Sequence, residues 1–397
     1  MRITDVRFER LHGTYRTSAG HSVARQVGAL DVYPEYRGRR PQAGDVYDDL
    51  GERPISEVYV FVDTDEGITG TFGPIYVDQA FQIDLHLRQH LIGKDPLATE
   101  RIWDILSRQD RHARRGYMMM AISAVDMCLW DIRGKAAGLP VYRLLGGPTR
   151  DAIPAYVSTL GHATEPERVF SQARAYLEEG YTAQKWFFPC GPGDGQAGIE
   201  TNMAMVRAAR EAVGDASELM FDAWLGWDVP YAIEMGRRMA PYNPAWLEEP
   251  VAPDRIGAYA EIRRATGIPI AGGEHEYTRW GFKVLLDAEG VDVIQADPDW
   301  TGGITEMLKI CALVSAYDKP VIPHGHSTLP ALHLIAAQSP AVCPRLEFLI
   351  VHNPSKQWFH TEQFFPEGGM MRLPQTPGLG ITLDEDRIES RTPLSWR

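Results

Sequence analysis

Three acids recur at a fixed interval: Asp222, Glu248 and Glu274 are separated by 248 − 222 = 26 and 274 − 248 = 26 residues. Each stands at or near the end of a short apolar run, LMFDAW, AWLEEP and IPIAGGE. Carboxylates at equivalent ends of three consecutive elements would face one another. At about 4 Å in an effective dielectric of about 20, each like-charged pair costs on the order of 4 kcal/mol, so three pairs approach the whole stability of a domain. A bound divalent cation or protonation must relieve that repulsion. An all-oxygen donor set favours a hard ion, and Mg2+ with its retained waters suits it best. AWLEEP carries two adjacent glutamates, which in a strand point to opposite faces. Glu248 is therefore assigned to the cation, with Glu249 turned toward the surrounding helices or a neighbouring positive charge.

Two further runs continue the series. Asp297 closes VDVIQAD and His324 closes KPVIPHG, with 297 − 274 = 23 and 324 − 297 = 27. A carboxylate beside a histidine fixes its tautomer and raises its basicity, which makes a general base poised near neutral pH. Lys185 in AQKWFF puts a cation on an otherwise aromatic run, where it shares a strand face with Phe187. A lone lysine at a strand end is more often a salt-bridge partner than a catalyst; as a candidate catalytic residue, Lys185 would offset charge on an anionic substrate. His275 and His326 flank the metal and base positions, where they either bind substrate hydroxyls or support their neighbours.

Strand-like runs alternate with amphipathic helical stretches from about residue 153: AYVSTL, AQKWFF, LMFDAW, AWLEEP, IPIAGGE, VDVIQAD, KPVIPHG and LEFLIV. Eight βα units of this length close most naturally into a modified (β/α)8 TIM barrel of the α/β class, whose C-terminal strand ends converge on one mouth. An open doubly wound sheet is the alternative. Residues 1–150, with ISEVYVFVDTDEGITG reading as two strands around a turn, form an α+β capping unit. The barrel is expected over 151–352, and the Gly/Pro-rich segment 353–397 is expected to return to the N-terminal unit.

The 397-residue chain is 44% hydrophobic and carries a formal charge of −13, which would repel a phosphate backbone, so nucleic acid is not an expected partner. Cys128, Cys190, Cys311 and Cys343 lie far apart without a CxxC pair, as in a reducing compartment. The first residues lack a basic-then-apolar leader, and no run reaches the roughly 18 apolar residues of a membrane span. A soluble cytoplasmic protein without a membrane partner is the expectation. GDGQAG, residues 193–198, satisfies the G-x-G-x-x-G pattern of dinucleotide binding. Asp194 would set a negative charge against a pyrophosphate, and that reading leaves Glu248, Glu274 and His324 unexplained. A long βα loop with a solvated Asp194 is the simpler expectation.

AISAVDMCLWDIRGKAAGLPVYRLLGG, the strand-end acids, the Asp297/His324 pair and the closing PGLGI together resemble the mandelate racemase subgroup of the enolase superfamily over nearly the whole chain. Within it, YPEYRGRR, KWFFPCGPGDGQAGI, APYNPAWLEE, GGEHEY, DPDWTGGITE and IPHGHS are similar to the branch of acid-sugar dehydratases acting on L-rhamnonate-like substrates. The resemblance implies an N-terminal capping domain, one Mg2+ on Asp222, Glu248 and Glu274, and abstraction of the proton α to a carboxylate by His324 with Asp297, the enediolate being stabilised by the metal. It also implies a symmetric homo-oligomer, octamers being frequent in the family. Racemases of the group carry a Lys-x-Lys pair whose second lysine is an opposed base, and here that position is Phe187. One base suits β-elimination: His324 removes the α-proton and then, as imidazolium, protonates the departing hydroxide. A lid from about Gly13 to Pro54 would set substrate choice, with His21, Arg25, Arg37, Arg39 and Arg40 as candidate contacts. The expected activity is Mg2+-dependent dehydration of an aldonate to a 2-keto-3-deoxy acid. A racemase or epimerase, or a non-catalytic binding barrel, are the alternatives.

Overall fold

The computed structural model describes residues 1–17, 25–37 and 51–397. The N-terminal part contains β1 (Ile3–Thr17), β2 (Gly51–Thr64) and β3 (Thr69–Ile75), followed by α1 (Val77–Gln82), α2 (Thr99–Arg108), α3 (Tyr117–Ala137) and α4 (Val141–Leu144). The DEG turn between β2 and β3 has Gly67 at φ +76°, a conformation that costs glycine nothing. In the 21-residue α3, apolar and small residues bury nearly every side, as befits a helix enclosed by its neighbours. Gly134 of α3 lets the chain at Gly378 lie directly against it; a Cβ there would meet the Gly378 Cα at 2.5 Å.

From residue 152, strands β4 (Ala152–Ser158), β5 (Ala183–Phe187), β6 (Glu218–Asp222), β7 (Trp246–Glu248), β8 (Ile270–Gly272) and β9 (Val293–Ile294) alternate with helices. The helices are α5 (Pro166–Glu178), α6 (Gly195–Val213), α7 (Val229–Met239), α8 (Ile256–Thr266), α9 (Thr278–Asp287), α10 (Gly303–Ser315) and α11 (Thr328–Ala337). β10 (Leu346–Leu349), α12 (Asn353–Lys356), β11 (Met370–Arg372) and β12 (Ser390–Leu394) complete the described elements.

β10, β4, β5, β6, β7, β8 and β9 follow one another in a curled parallel sheet, while β12, β1, β2 and β3 form a four-stranded antiparallel one. The architecture is a (β/α)8-like barrel with an N-terminal α+β cap. The seventh barrel run, KPVIPHG, was expected as a full strand and is reduced to a single parallel bridge between Ile294 and Val321. Pro320 and Pro323 lack the N–H groups a longer ladder requires. β12 pairs antiparallel with β1, from Phe8 against Leu394 to His12 against Ser390, and β11 pairs with β4.

Tyr156, Ala183, Met220, Trp246, Ala271, Val293 and Ile322, one from each of seven barrel runs, pack together as a separate apolar cluster inside the barrel. Because side chains on a strand repeat every two residues, Lys185, Asp222, Glu248 and His324 stand one repeat above Ala183, Met220, Trp246 and Ile322. The cluster is the floor of the site. The four cysteines are buried and unbonded. No helix among the described residues is long and apolar enough to cross a membrane.

Candidate functional site

Asp222 and Glu248 are register partners on β6 and β7 and lie buried at the mouth with Lys185 between them. Lys185 Nζ is 3.3 Å from Asp222 Oδ2 and 2.8 Å from Glu347 Oε1, and it also contacts Glu248 Oε1. Burial opposes its charge, yet Glu248 and Glu347 more than restore it, so Lys185 is held protonated. Either a cation or a proton was expected to relieve the acids; the fold supplies part of that relief from Lys185. Burial and the facing Glu248 nevertheless push the Asp222 carboxyl up. Trp246 donates its indole N–H to Glu248 Oε2 at 2.8 Å, fixing that carboxylate from below.

Glu274 lies on the other side of the mouth. Its carboxyl is raised to about 7 by burial, with the His324 ring pulling the other way and Glu249 adding to the rise. Glu249 takes the second of its two expected courses. Its backbone has φ +36°, its side chain is buried, and its Oε2 accepts from His275 Nδ1 at 2.9 Å. Among the described residues, Glu249, Glu274 and His275 form a set whose potential ligand atoms all lie within 4.8 Å of one another. Burial opposes a charge on His275, but Glu249 overrides it and raises the ring to about 10.

His324 faces Glu274 with Nε2 3.8 Å from Oε2, and its Nδ1 lies 2.6 Å from Asp297 Oδ2. An ionised carboxylate only accepts, so Nδ1 donates and Nε2 is the atom turned to the mouth. Burial works against the protonated ring, while Glu274 and Asp297 raise it to about 9. His326 repeats the arrangement with Asp299, and the Trp300 ring lies against both imidazoles at centroid distances of 4.9 and 5.0 Å.

Arg25 is taken up elsewhere. It forms ion pairs with Asp194 at 2.9 Å and Asp31 at 3.0 Å, clasping segment 25–37 to the loop after β5. Arg37 does the same through the carbonyls of Asp31 and Gly193. Asp194 is therefore not solvated as expected: it is paired with Arg25 and accepts the Gly191 N–H at 2.9 Å, and it reads as the clasp of a βα loop. His21, Arg39 and Arg40 lie outside the described residues.

Sequence reasoning passed over Glu347 and Asp299. Glu347 of β10 accepts the Gly325 N–H at 3.0 Å; burial would raise its carboxyl, but Lys185 and His324 bring it down to about 2. Its interval, 347 − 324 = 23, fits the series and could have found it. The same holds for Asp299, since 326 − 299 = 27 matches 324 − 297 = 27.

The capped parallel barrel with acids at successive strand ends defines the enolase class of enzyme folds. Residues 168–387 match the family described as enolase C-terminal domain-like, and residues 53–146 match the mandelate racemase / muconate lactonizing enzyme N-terminal domain; the chain belongs to this family. The L-rhamnonate dehydratase of Saccharopolyspora erythraea is 35% identical over 91% of this chain and 90% of its own length. Among solved structures, the rhamnonate dehydratase of Gibberella zeae complexed with Mg superposes with TM-score 0.82 at 27% identity, covering 97% of this chain and 95% of its own. A racemase of Streptomyces coelicolor A3(2) with bound magnesium gives TM-score 0.78 at 26% identity over 97% and 98%.

Proposed function

We propose that the protein is a Mg2+-dependent acid-sugar dehydratase that converts an aldonate, L-rhamnonate or a stereochemical neighbour, to its 2-keto-3-deoxy acid. The observation that carries this reading is the His324–Asp297 pair facing Glu274 in a mouth where Phe187 stands in place of an opposed base. The names of the Saccharopolyspora and Gibberella relatives support it.

Asp222, Glu248 and Glu274 would hold the ion. Their chemistry fits it: the donors are oxygen, burial pushes up the Asp222 and Glu274 carboxyls, a cost that a divalent charge would offset, and Glu249 and His275 adjoin Glu274 as further donor groups within 4.8 Å. When bound, Mg2+ offsets the negative charge that builds on the substrate carboxylate as its α-proton leaves. With Glu274 neutralised, the main upward push on His324 is gone, and its Nε2 becomes a base suited to neutral pH.

His324 takes the C2 proton while Asp297 holds the tautomer and stabilises the imidazolium. The same ring then delivers its proton to the 3-hydroxyl, so the C3–O bond breaks and water leaves as the C2–C3 double bond forms. The resulting enol gains a proton at C3 and loses one from its 2-hydroxyl, which gives the keto acid. Lys185 keeps Asp222, Glu248 and Glu347 in place through its three ion pairs.

Purified protein with Mg2+, screened against an aldonate library with a 2-keto acid assay, tests the reading. Turnover is expected, abolished by EDTA and lowered by about 10²–10⁴-fold in His324→Asn. Exchange of the α-proton with solvent without keto product would replace dehydration by racemisation. Inertness toward every acid would favour a binding role.

A further inference from the structure

The mouth holds a second histidine–carboxylate pair that the proposed chemistry leaves unused. His326 Nδ1 donates to Asp299 Oδ2 at 2.8 Å, two residues beyond the His324–Asp297 pair on the same two barrel runs. The two rings do not share an electrostatic setting. Burial and the nearby Lys356 lower the His326 pKa, so this ring stays neutral while His324 is drawn up. With a proton on Nδ1, its Nε2 is a hydrogen-bond acceptor and not a competing acid.

That acceptor is met from the cap. Tyr76, just before α1, lies with its hydroxyl 3.2 Å from His326 Nε2 and its ring 5.6 Å from the imidazole. Burial and the carboxylates of Asp297 and Asp299 push the phenol up, so its hydroxyl remains a donor. Two buried polar atoms beside this pair, Asp299 Oδ1 and Trp300 Nε1, find no partner among the described residues. An acceptor and a donor, both out of water and both unsatisfied, match what a hydroxyl can supply, since it donates and accepts at once.

We infer that Tyr76, His326 and Asp299 form a subsite for a hydroxyl of the substrate beyond C3, reading chain length and polyol character while His324 performs the chemistry. This rests on the acid-sugar reading above. The site should favour polyhydroxy acids of five or six carbons over two- or three-carbon α-hydroxy acids. His326 is the positioning group, holding Asp299 through Nδ1 and Tyr76 through Nε2, while Asp299 Oδ1 and Trp300 Nε1 meet the substrate hydroxyl.

Binding separates this subsite from catalysis. Calorimetry with Mg2+ on the His324→Asn background would compare L-rhamnonate with glycerate, which lacks the distal hydroxyls. Tyr76→Phe, which removes one oxygen, is expected to weaken L-rhamnonate about fivefold, and Asp299→Asn or His326→Leu about five- to fiftyfold, with glycerate unchanged. In the enzyme with His324 intact, the same variants should raise KM more than they lower kcat. Equal losses for both acids, or no loss for either, would overturn the subsite, as would a fall in kcat and α-proton exchange with KM unchanged. Failure of wild-type protein to bind any aldonate would overturn it as well. Discriminated binding without turnover would uphold the subsite and remove the dehydratase reading alone.

Discussion

Lys185 shows how one side chain can change the electrostatic problem set by its neighbours. Its ammonium lies among Asp222, Glu248 and Glu347 in the barrel interior, where removing one partner of a buried ionic set leaves uncompensated charge. Lys185→Met should therefore lose about 3–5 kcal/mol of stability, read as a lower denaturant midpoint in EDTA, and added Mg2+ should recover part of the loss. A variant as stable as the parent would show that the acids are balanced some other way. The acids themselves were legible because their spacing repeats the βα unit. For Lys185 an ion-pair role was legible in kind but its partners were not, because which carboxylates a long side chain reaches depends on three strands at once. That Glu249 would meet a positive charge was legible, but not that His275 supplies it, because the Glu249 backbone leaves the strand conformation at φ +36°.

Elements are where local chemistry and packing disagree most visibly. The parallel barrel was legible from alternating runs, but KPVIPHG, apolar enough to read as a strand, contributes one bridge because its prolines have no N–H to give. The reason for the glycine in helix α3 was not legible, since Gly378 comes from the far end of the chain. Gly134→Ala would put a methyl 2.5 Å from the Gly378 Cα and 2.8 Å from the Leu139 carbonyl oxygen. Backbone cannot swing aside, so a loss of about 1–3 kcal/mol is expected by chemical denaturation. A methyl on Gly257 in α8 would meet nothing within 4 Å, and Gly257→Ala should instead gain up to about 1 kcal/mol. Equal effects at the two sites would show that helix propensity, and not the close approach, governs both.

At the scale of the molecule, two buried histidines tie the C-terminal segment to the rest. His333 accepts the Tyr142 N–H and donates to the Leu379 carbonyl, and His360 meets the Tyr59 hydroxyl at 3.1 Å. Burial lowers both rings from the usual 6.5 to about 4. The unfolded chain then binds more protons than the native one between those values, so stability rises with pH across this window and is lost as pH falls from about 6.5 toward 4. Each ring contributes on the order of 3 kcal/mol to that loss. Denaturant midpoints measured at pH 4.5 and 7 should converge in a His333→Gln/His360→Gln variant; an unchanged acid sensitivity would place the proton uptake elsewhere. The sequence hinted that the tail returns to the N-terminal unit through its glycines and prolines, but the register of β12 on β1 follows only from the assembled sheet. That register has a consequence for biosynthesis. The partner of Phe8 to His12 leaves the ribosome only after the entire barrel has been translated, so the growing polypeptide carries an open strand edge for most of its synthesis, a template for association with other nascent chains until residues 390–394 close it.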